Sequence, residues 1–494
     1  MQSLFQQIEQ HAFDTPWRTA LEGSQESLSY AELQQAIELL AEQLRGTGCR
    51  HLGLMLENGP RWLVWQLAAW KAGMVVVPIP LFFTRQQIRY QLDRCGIELL
   101  VGGEAAGVQA LDPDFEAGCL IAETGGEETW VRRVAPVALP QGTLLVTFTS
   151  GTTGEPKGVC LGAEQLTALC DALWSVVGDQ GIERHLSLLP LPVLLENIAG
   201  CLMALRAGAC CVIPDACESG LRGSAMPDLA SLAACLQRRQ PDSLILVPEL
   251  LRALLWSVTL GGYQPSLKFV AVGGGVIGRP VLEMAEQLGL PVYQGYGLSE
   301  CGSVVALNRP GCNRPATVGK PLAHCRVSLA ADGEILIEGN TMLGYVGEVS
   351  PACGPVKTGD LGRFDEAGAL IINGRKKNLF INSYGRNFSP EWVEAELCAS
   401  PLVAQVCLVG DGRPFNLALV TPMNGVSQAG LDQWLRTLNR SLPDYARVRE
   451  CILTREPFSA ANGLLTPNGR LRRAQIEASY GDEIEACFCS EVAL

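Results

Sequence analysis

Leu144-Leu145-Val146-Thr147-Phe148-Thr149 runs straight into Ser150-Gly151-Thr152-Thr153-Gly154-Glu155-Pro156-Lys157-Gly158, and the reading of that join decides the fold. The first six residues are apolar or β-branched and read as a buried strand. From Thr149 onward the chain offers glycines, the hydroxyls of Thr149, Ser150, Thr152 and Thr153, and the ammonium of Lys157. Small residues such as Gly151 and Gly154 let backbone N–H groups close around an anion, and hydroxyls and a lysine add donors. The spacing predicts a helix after the loop, so the segment reads as a phosphate cradle between strand and helix. It is not a Walker loop, which ends in Gly-Lys-Ser/Thr, whereas here the order is Pro156-Lys157-Gly158. A surface turn would use the same residue types, so the reading must be carried by the rest of the chain.

Outward from that join, helical stretches alternate with short apolar runs. Residues 33–44 carry helix periodicity, 51–56 read as a strand, 62–73 as a helix ending in glycine and 74–78 as another strand. Further strands are expected at 186–189, 210–213, 243–247, 269–272 and 292–294. Strands separated by helices of this length call for crossover connections, hence an α/β fold with mostly parallel sheets. Beyond about residue 308 the texture changes to short strands between glycines, at 326–329, 334–338 and 369–372, which suggests a small barrel-like or antiparallel subdomain. Ser389-Pro390 then opens a helix, with Ser389 as cap and Pro390 at the first helical position. The expected division is a large domain over 1–377 and a small, mobile α+β domain over 378–494. A chain of 494 residues is too long for one core.

Composition narrows the function classes. A chain that is 48% hydrophobic and 18% charged has material for a sizeable core and none of the character of a disordered protein. Its net charge of −13 argues against nucleic acid as a partner. Residues 1–11 lack the basic and apolar regions of a secretory signal. The most apolar run, 74–83, is far shorter than the roughly 20 residues of a membrane span and contains Pro78 and Pro80. A cytoplasmic protein with no transmembrane segment is expected. The 19 cysteines are odd in number and scattered, without CxxC spacing, so free thiols are expected rather than a disulfide framework or zinc.

The stretch FTSGTTGEPKG resembles the signature of the adenylate-forming superfamily, which includes acyl-CoA synthetases, firefly-luciferase-like enzymes and peptide-synthetase adenylation domains. Tyr296-Gly297-Leu298-Ser299-Glu300 resembles its second signature, Lys357-Thr358-Gly359-Asp360 the third and Gly374-Arg375-Lys376-Lys377 the fourth. Residues 385–391 (GRNFSPE) look like the glycine loop that follows, and Thr466-Pro467-Asn468-Gly469-Arg470 occupies the place of the last motif. The segments occur in family order and span most of the chain.

The resemblance implies an enzyme that activates a carboxylic acid as its acyl-adenylate, using ATP and Mg²⁺, and passes the acyl group to a thiol. The acceptor would be CoA or the phosphopantetheine of an acyl carrier protein. It places Thr149, Ser150, Gly151, Thr152, Thr153, Gly154 and Lys157 around the phosphates, with Thr152 and Ser299 bonding phosphate oxygens. Tyr296 lies against adenine, Gly273, Gly274 and Gly275 form a flat wall, and Gly295 and Gly297 flank the tyrosine. Asp360, helped by Arg375, takes the ribose hydroxyls, and Glu300 binds the metal, since Mg²⁺ needs few carboxylates beside phosphate oxygens and water. Lys377 fits a hinge, and Gly385 a channel for the thiol arm, where a missing Cβ leaves room.

Two segments depart from the family. Where it carries a lysine bridging carboxylate and α-phosphate, this chain has Arg470, and no lysine occurs after Lys377. Arg470 either bridges with altered geometry, as a permanently charged fork can, or the chain binds nucleotide and acid without efficient adenylation. Residues 189–197 (LPLPVLLEN) resemble the acid-pocket segment of long-chain acyl-CoA synthetases, but with Val193 where an aromatic or histidine is common. Val247, Cys301, Gly302 and Ser303 are the other expected walls, and a medium- or long-chain fatty acid is favoured over an amino acid, with an aryl acid possible. Residues 273–278 (GGGVIG) also match the dinucleotide pattern, but no acidic residue follows the strand at 292–294 to hold a ribose.

Overall fold

The computed structural model describes all residues except 119–126, 136, 150–155, 222–227, 349–353, 382–385, 424, 467–468 and 490–494. Six parallel strands form the centre of one nine-stranded sheet, in the order Val292–Tyr296, Phe269–Val272, Ser243–Leu246, Arg184–Leu186, Cys210–Val212, Thr19–Glu22. A second sheet of eight strands sets His51–Leu54 between Val75–Pro78 and Leu99–Val101, all parallel, and continues to Thr143–Thr149. One core draws on both sheets and on the helices Tyr30–Thr47 and Pro60–Lys71. The second of these helices buries ten of its twelve residues, including Trp62 and Trp65. A helix apolar all round must be covered all round. Its Gln66 exchanges two 2.8 Å amide hydrogen bonds with Asn197, which ties it to the π-helical segment Leu195–Leu202.

The strand–loop–helix expectation for the opening segment needs correction. Thr143–Thr149 pairs antiparallel with a second strand, Lys157–Gly162, with Thr149 opposite Lys157, and the helix Ala163–Val177 begins only after it. A short apolar run such as Val159-Cys160-Leu161 does not reveal by periodicity whether it is strand or helix. Here Gly344–Tyr345 pairs with its other edge and completes the ladder. The loop between the strands, including Ser150, Gly151, Thr152, Thr153 and Gly154, lies outside the described residues.

The region after residue 308 builds a four-stranded antiparallel sheet from Cys325–Leu329, Glu334–Gly339, Val356–Phe364 and Leu370–Arg375. Further on, Val403–Val409, Asn416–Pro422 and Val448–Leu453 form a three-stranded sheet backed by the helices Pro390–Leu397 and Gln428–Leu438, with apolar clusters of its own. Pro390 does open its helix, but the Ser389 hydroxyl donates to Glu391 Oε2 at 2.8 Å instead of capping the backbone. This carboxy-terminal unit meets the nine-stranded sheet through Arg252, whose guanidinium donates to the Cys398 carbonyl at 2.8 Å. Nearby, Glu396 Oε1 accepts the Arg279 backbone N–H at 3.0 Å. No helix among the described residues is long and apolar enough to cross a membrane.

Candidate active site

A cavity of about 1500 Å³ opens at the carboxyl ends of the parallel strands, between the nine-stranded sheet, the four-stranded sheet and the carboxy-terminal unit. In open α/β sheets that edge is where ligands bind, because the loops there converge while the strands hold them rigid. At one end of the cavity Tyr296, the last residue of its strand, donates its hydroxyl to Asp360 Oδ2 at 2.7 Å. Arg375 Nε donates to Asp360 Oδ1 at 2.8 Å, since the two residues face each other across neighbouring strands. Burial, and then the Asp360 carboxylate, push the Tyr296 phenol well above its ordinary range, so it remains a neutral donor.

A second group forms from three distant segments. Tyr345 donates its hydroxyl to Glu300 Oε1 at 3.0 Å, and the Lys157 ammonium lies 5.3 Å from the centre of the Tyr345 ring. Burial and Glu300 raise the Tyr345 phenol as well. Sequence reading passed over Tyr345, and no signal could have found it, since its partners lie 45 and 188 positions away and only the pairing of Gly344–Tyr345 with Lys157–Gly162 joins them.

Arg470 reaches the same cavity from the carboxy-terminal unit. Thr466 and Arg470 bond each other, the Thr466 N–H to the Arg470 carbonyl at 2.8 Å and the Arg470 N–H to Thr466 Oγ1 at 3.0 Å. The residue is exposed at the cavity mouth. Even so, the protein around its head group displaces enough water to hold the guanidinium below its usual pKa, and Arg375 repels it further, while Asp360 and Glu300 act in the opposite sense. Two guanidiniums facing one space repel each other until an anion enters between them.

Thr149, Gly273, Gly274, Gly275, Gly295, Gly297 and Ser299 all line the cavity. A Cβ at Gly273 would come no nearer than 3.5 Å to any atom outside its chain neighbours, so packing does not demand glycine there, and the residue leaves open space on the cavity. Gly297 differs, because a Cβ would stand 1.5 Å from the Ser303 carbonyl oxygen, and close backbone packing alone requires it. Ser303, at φ +132°, keeps a backbone conformation that residues other than glycine rarely adopt, a kind of strain that gathers at functional sites.

Of the expected acid-pocket walls, Val193, Val247 and Ser303 line the cavity, as does Lys377. Cys301 and Gly302 do not. The turn Ser299–Cys301 carries the Cys301 side chain into an apolar cluster with Val305 and Cys325, where it is fully buried, and Gly302 faces Leu169. Gly385 lies outside the described residues. Missed altogether were His185, Ser187 and Ser243, which line the deep part of the cavity. Sixteen cysteines are described and all are free thiols. Among the described residues no three or more His, Cys, Asp or Glu side chains gather as a metal cluster.

Residues 8–348 match the family described as AMP-binding enzyme, and residues 377–491 match the AMP-binding enzyme C-terminal domain. A 2-succinylbenzoate–CoA ligase of Bacillus cereus (strain AH820) is 27% identical over 438 residues, covering 83% of this chain and 86% of its own. Among solved structures, the anthranilate CoA ligase AuaEII in complex with anthranoyl-AMP superposes with a TM-score of 0.77 at 18% identity, over 96% of each chain. The o-succinylbenzoate CoA synthetase MenE of Bacillus subtilis with its acyl-adenylate gives 0.72 at 24% identity, over 95% of this chain and 97% of that one. At these identities the structures share the fold with this chain: two large sheet-and-helix layers followed by a small carboxy-terminal unit.

Proposed function

The chain belongs to the AMP-binding enzyme family, and on that premise we propose that it is an AMP-forming acid–CoA ligase. It adenylates a carboxylic acid with ATP, releases pyrophosphate and transfers the acyl group to the thiol of CoA. The observation that carries this reading is that Arg470, from the carboxy-terminal unit, lines the same cavity as Glu300 and Arg375, the latter bonded to Asp360. A nucleotide binder without chemistry has no need for a cation brought from a separate unit to that point.

The residues divide the work by chemistry. Asp360, released from Tyr296 and Arg375 or shared with them, accepts the two ribose hydroxyls, and Gly273 leaves the flat space for the base. Glu300 suits Mg²⁺, because Tyr345 occupies Oε1 while Oε2 has no hydrogen bond among the described residues, and one carboxylate is what this ion takes beside phosphate. When bound, Mg²⁺ supplies charge neutralisation of the phosphates. Lys157 and Arg470 approach from the two sides, Arg470 as the fork that holds the acid's carboxylate against the α-phosphate. A carboxylate oxygen attacks the α-phosphorus, and the bond to pyrophosphate breaks with its electron pair. Positioning and fixed positive charge supply most of the rate. In the second step the CoA sulfur attacks the acyl carbon and AMP departs. Lys377 as hinge and Gly385 beside the pantetheine arm fit that step, for which the carboxy-terminal unit must turn.

For the acid, the names of the relatives support an aryl substrate over an unbranched fatty acid, since 2-succinylbenzoate and anthranilate are both aromatic. The apolar lining from Leu188, Val193, Ile245 and Ala271 accommodates either body. CoA is favoured over a carrier protein on the same comparison. The test is mass spectrometry of products from ATP, Mg²⁺, CoA and a mixture of aryl and alkyl acids, alongside ATP–pyrophosphate exchange. Acyl-CoA and AMP formed together support the ligase; ATP binding with no exchange for any acid overturns it.

A further inference from the structure

Deep in the cavity a chain of buried polar groups is set into apolar walls. Ser243 Oγ lies 2.9 Å from His185 Nδ1, and His185 Nε2 lies 2.8 Å from Glu196 Oε1. Glu196 Oε2 also accepts the Leu189 N–H at 3.3 Å. His185 thus bridges the Ser243 hydroxyl and the Glu196 carboxyl through its two ring nitrogens. The Ser243 hydroxyl, with one donor and two acceptor positions, has capacity left for a further partner. Glu196 is fully buried, and His185, Ser187 and Ser243 are nearly so. Gly200 is shaped to this chain, for a Cβ there would lie 2.4 Å from Glu196 Oε1 and 2.6 Å from His185 Nε2. The segment that carries Glu196 and Gly200 winds as a π-helix, an irregularity found mostly where function demands it.

One member of the group is unsatisfied. Ser187 Oγ is buried, lines the cavity and has no hydrogen-bond partner among the described residues. Ser187 is two residues beyond His185 in the chain, so both project from one face of the sheet. A hydroxyl without a partner in such a place loses free energy unless something supplies one.

The register locates this group relative to the glycine wall at the nucleotide end. Leu186 is level with Leu244, and Leu244 with Val270, which sets Ser187 two residues short of Gly273 along the strands and two strands across. At about 3.3 Å per residue and 4.8 Å per strand the separation is roughly 12 Å. Ile245 and Ala271 line the way between, apolar and on the same face. The cationic lining residues, by contrast, are Lys157, Lys357, Arg375, Lys377 and Arg470 around the nucleotide end, and Arg252, which is engaged by the carboxy-terminal unit.

We propose that the acid taken by this site ends, far from its reacting carboxylate, in an uncharged hydrogen-bonding group, a hydroxyl or a carbonyl, seated against Ser187 and the Ser243–His185–Glu196 chain. This rests on the ligase reading above and narrows it. A distal hydroxyl or carbonyl pairs with the Ser187 hydroxyl, and a hydroxyl can also donate to Ser243 Oγ. A second carboxylate is rejected, because it would lose its water among apolar walls with no lysine or arginine beside Ser187 to meet it. The chain therefore parts from its relatives that act on 2-succinylbenzoate, an acid with two carboxylates.

The experiment is ATP–pyrophosphate exchange by the full chain with two matched series. Decanoic acids ending in hydroxyl, methyl or carboxylate form one series, and phenylpropenoic acids with para-hydroxyl, para-methyl or para-carboxylate the other. In the series that exchanges faster, kcat/KM is expected to be about tenfold higher for hydroxyl than for methyl, and about a hundredfold lower for carboxylate than for hydroxyl. Ser187→Ala is expected to bring the hydroxyl-to-methyl ratio below about threefold. Methyl-ended acids equal to or better than hydroxyl-ended ones, a favoured diacid, or a ratio untouched by Ser187→Ala would each overturn the proposal and leave the ligase standing. Absence of exchange with every acid overturns both.

Discussion

At its nucleotide end the cavity takes its working groups from separated segments, Tyr296 from one sheet and Glu300 from the turn that follows it, Asp360 and Arg375 from another sheet, Lys157 and Tyr345 from a hairpin and its neighbour, and Arg470 from the carboxy-terminal unit. At its acid end a single sheet face and the segment Leu195–Leu202 supply nearly everything, with apolar walls and one buried polar chain. The difference follows from what each end must hold. A triphosphate carries concentrated charge that only several cations and dipoles from different directions can match. An acid's body presents apolar surface, for which burial suffices, and selectivity comes from a few polar contacts. The nucleotide end should therefore act on every substrate alike, and the acid end should choose among them.

The comparison breaks most visibly at Asp360. Asp360→Ala should lower ATP–pyrophosphate exchange by about 10³-fold or more with every acid, through loss of charge-assisted bonds to ribose. A variant that loses activity with one acid and retains it with another would erase the distinction between the ends. Arg470→Ala should cost roughly 10²- to 10³-fold in exchange, while Arg470→Lys should remain within about tenfold of the parent, as a point charge replaces a fork. Retained exchange in the alanine variant would show that adenylation does not depend on Arg470 and would remove its bridging role.

The acid end should respond on a smaller and more selective scale. Gly200→Ala forces a methyl group against Glu196 and His185, with an expected cost of about 1–3 kcal/mol in stability. KM for the acid should rise about tenfold with KM for ATP nearly unchanged. Equal increases in both would show that the two ends are not separable. The smallest effect belongs to the contact that holds the carboxy-terminal unit in place. Arg252→Ala removes the bond to the Cys398 carbonyl and should slow adenylation about fivefold, without slowing thioester formation from preformed acyl-adenylate. Stopped-flow measurement of the two half-reactions decides it, and equal slowing of both would assign Arg252 to folding alone.

The nucleotide end was largely legible in the chain because its residues sit in compact motifs. Tyr296, Glu300, Asp360, Arg375 and Arg470 were singled out because their short segments resemble the signatures of the adenylate-forming superfamily. Parallel strands such as Phe269–Val272 could be placed to within a few residues, since an apolar run that closes on the glycines 273–275 is marked by its boundary. Where an apolar run was short, as at Lys157–Gly162, periodicity failed and the partner strand decided. Of the three walls assigned from proximity in sequence to Glu300, one lines the cavity. Ser303 faces the cavity, while Cys301 and Gly302 turn away, because one helical turn at Ser299–Cys301 reverses the side-chain directions.

By itself the sequence determined that strands and helices alternate and that segments resembling the superfamily's signatures follow one another in order, with Arg470 where the resemblance implies a lysine. Tertiary structure alone decided that Tyr345 meets Glu300, that His185, Ser187, Ser243 and Glu196 share one buried place, and that Arg470 faces Arg375. Motifs survive in sequence because a phosphate is gripped by consecutive backbone groups. A polar chain across neighbouring strands has no such local trace, since its members are brought together only by the register of the sheet and the turn of a helix laid over it.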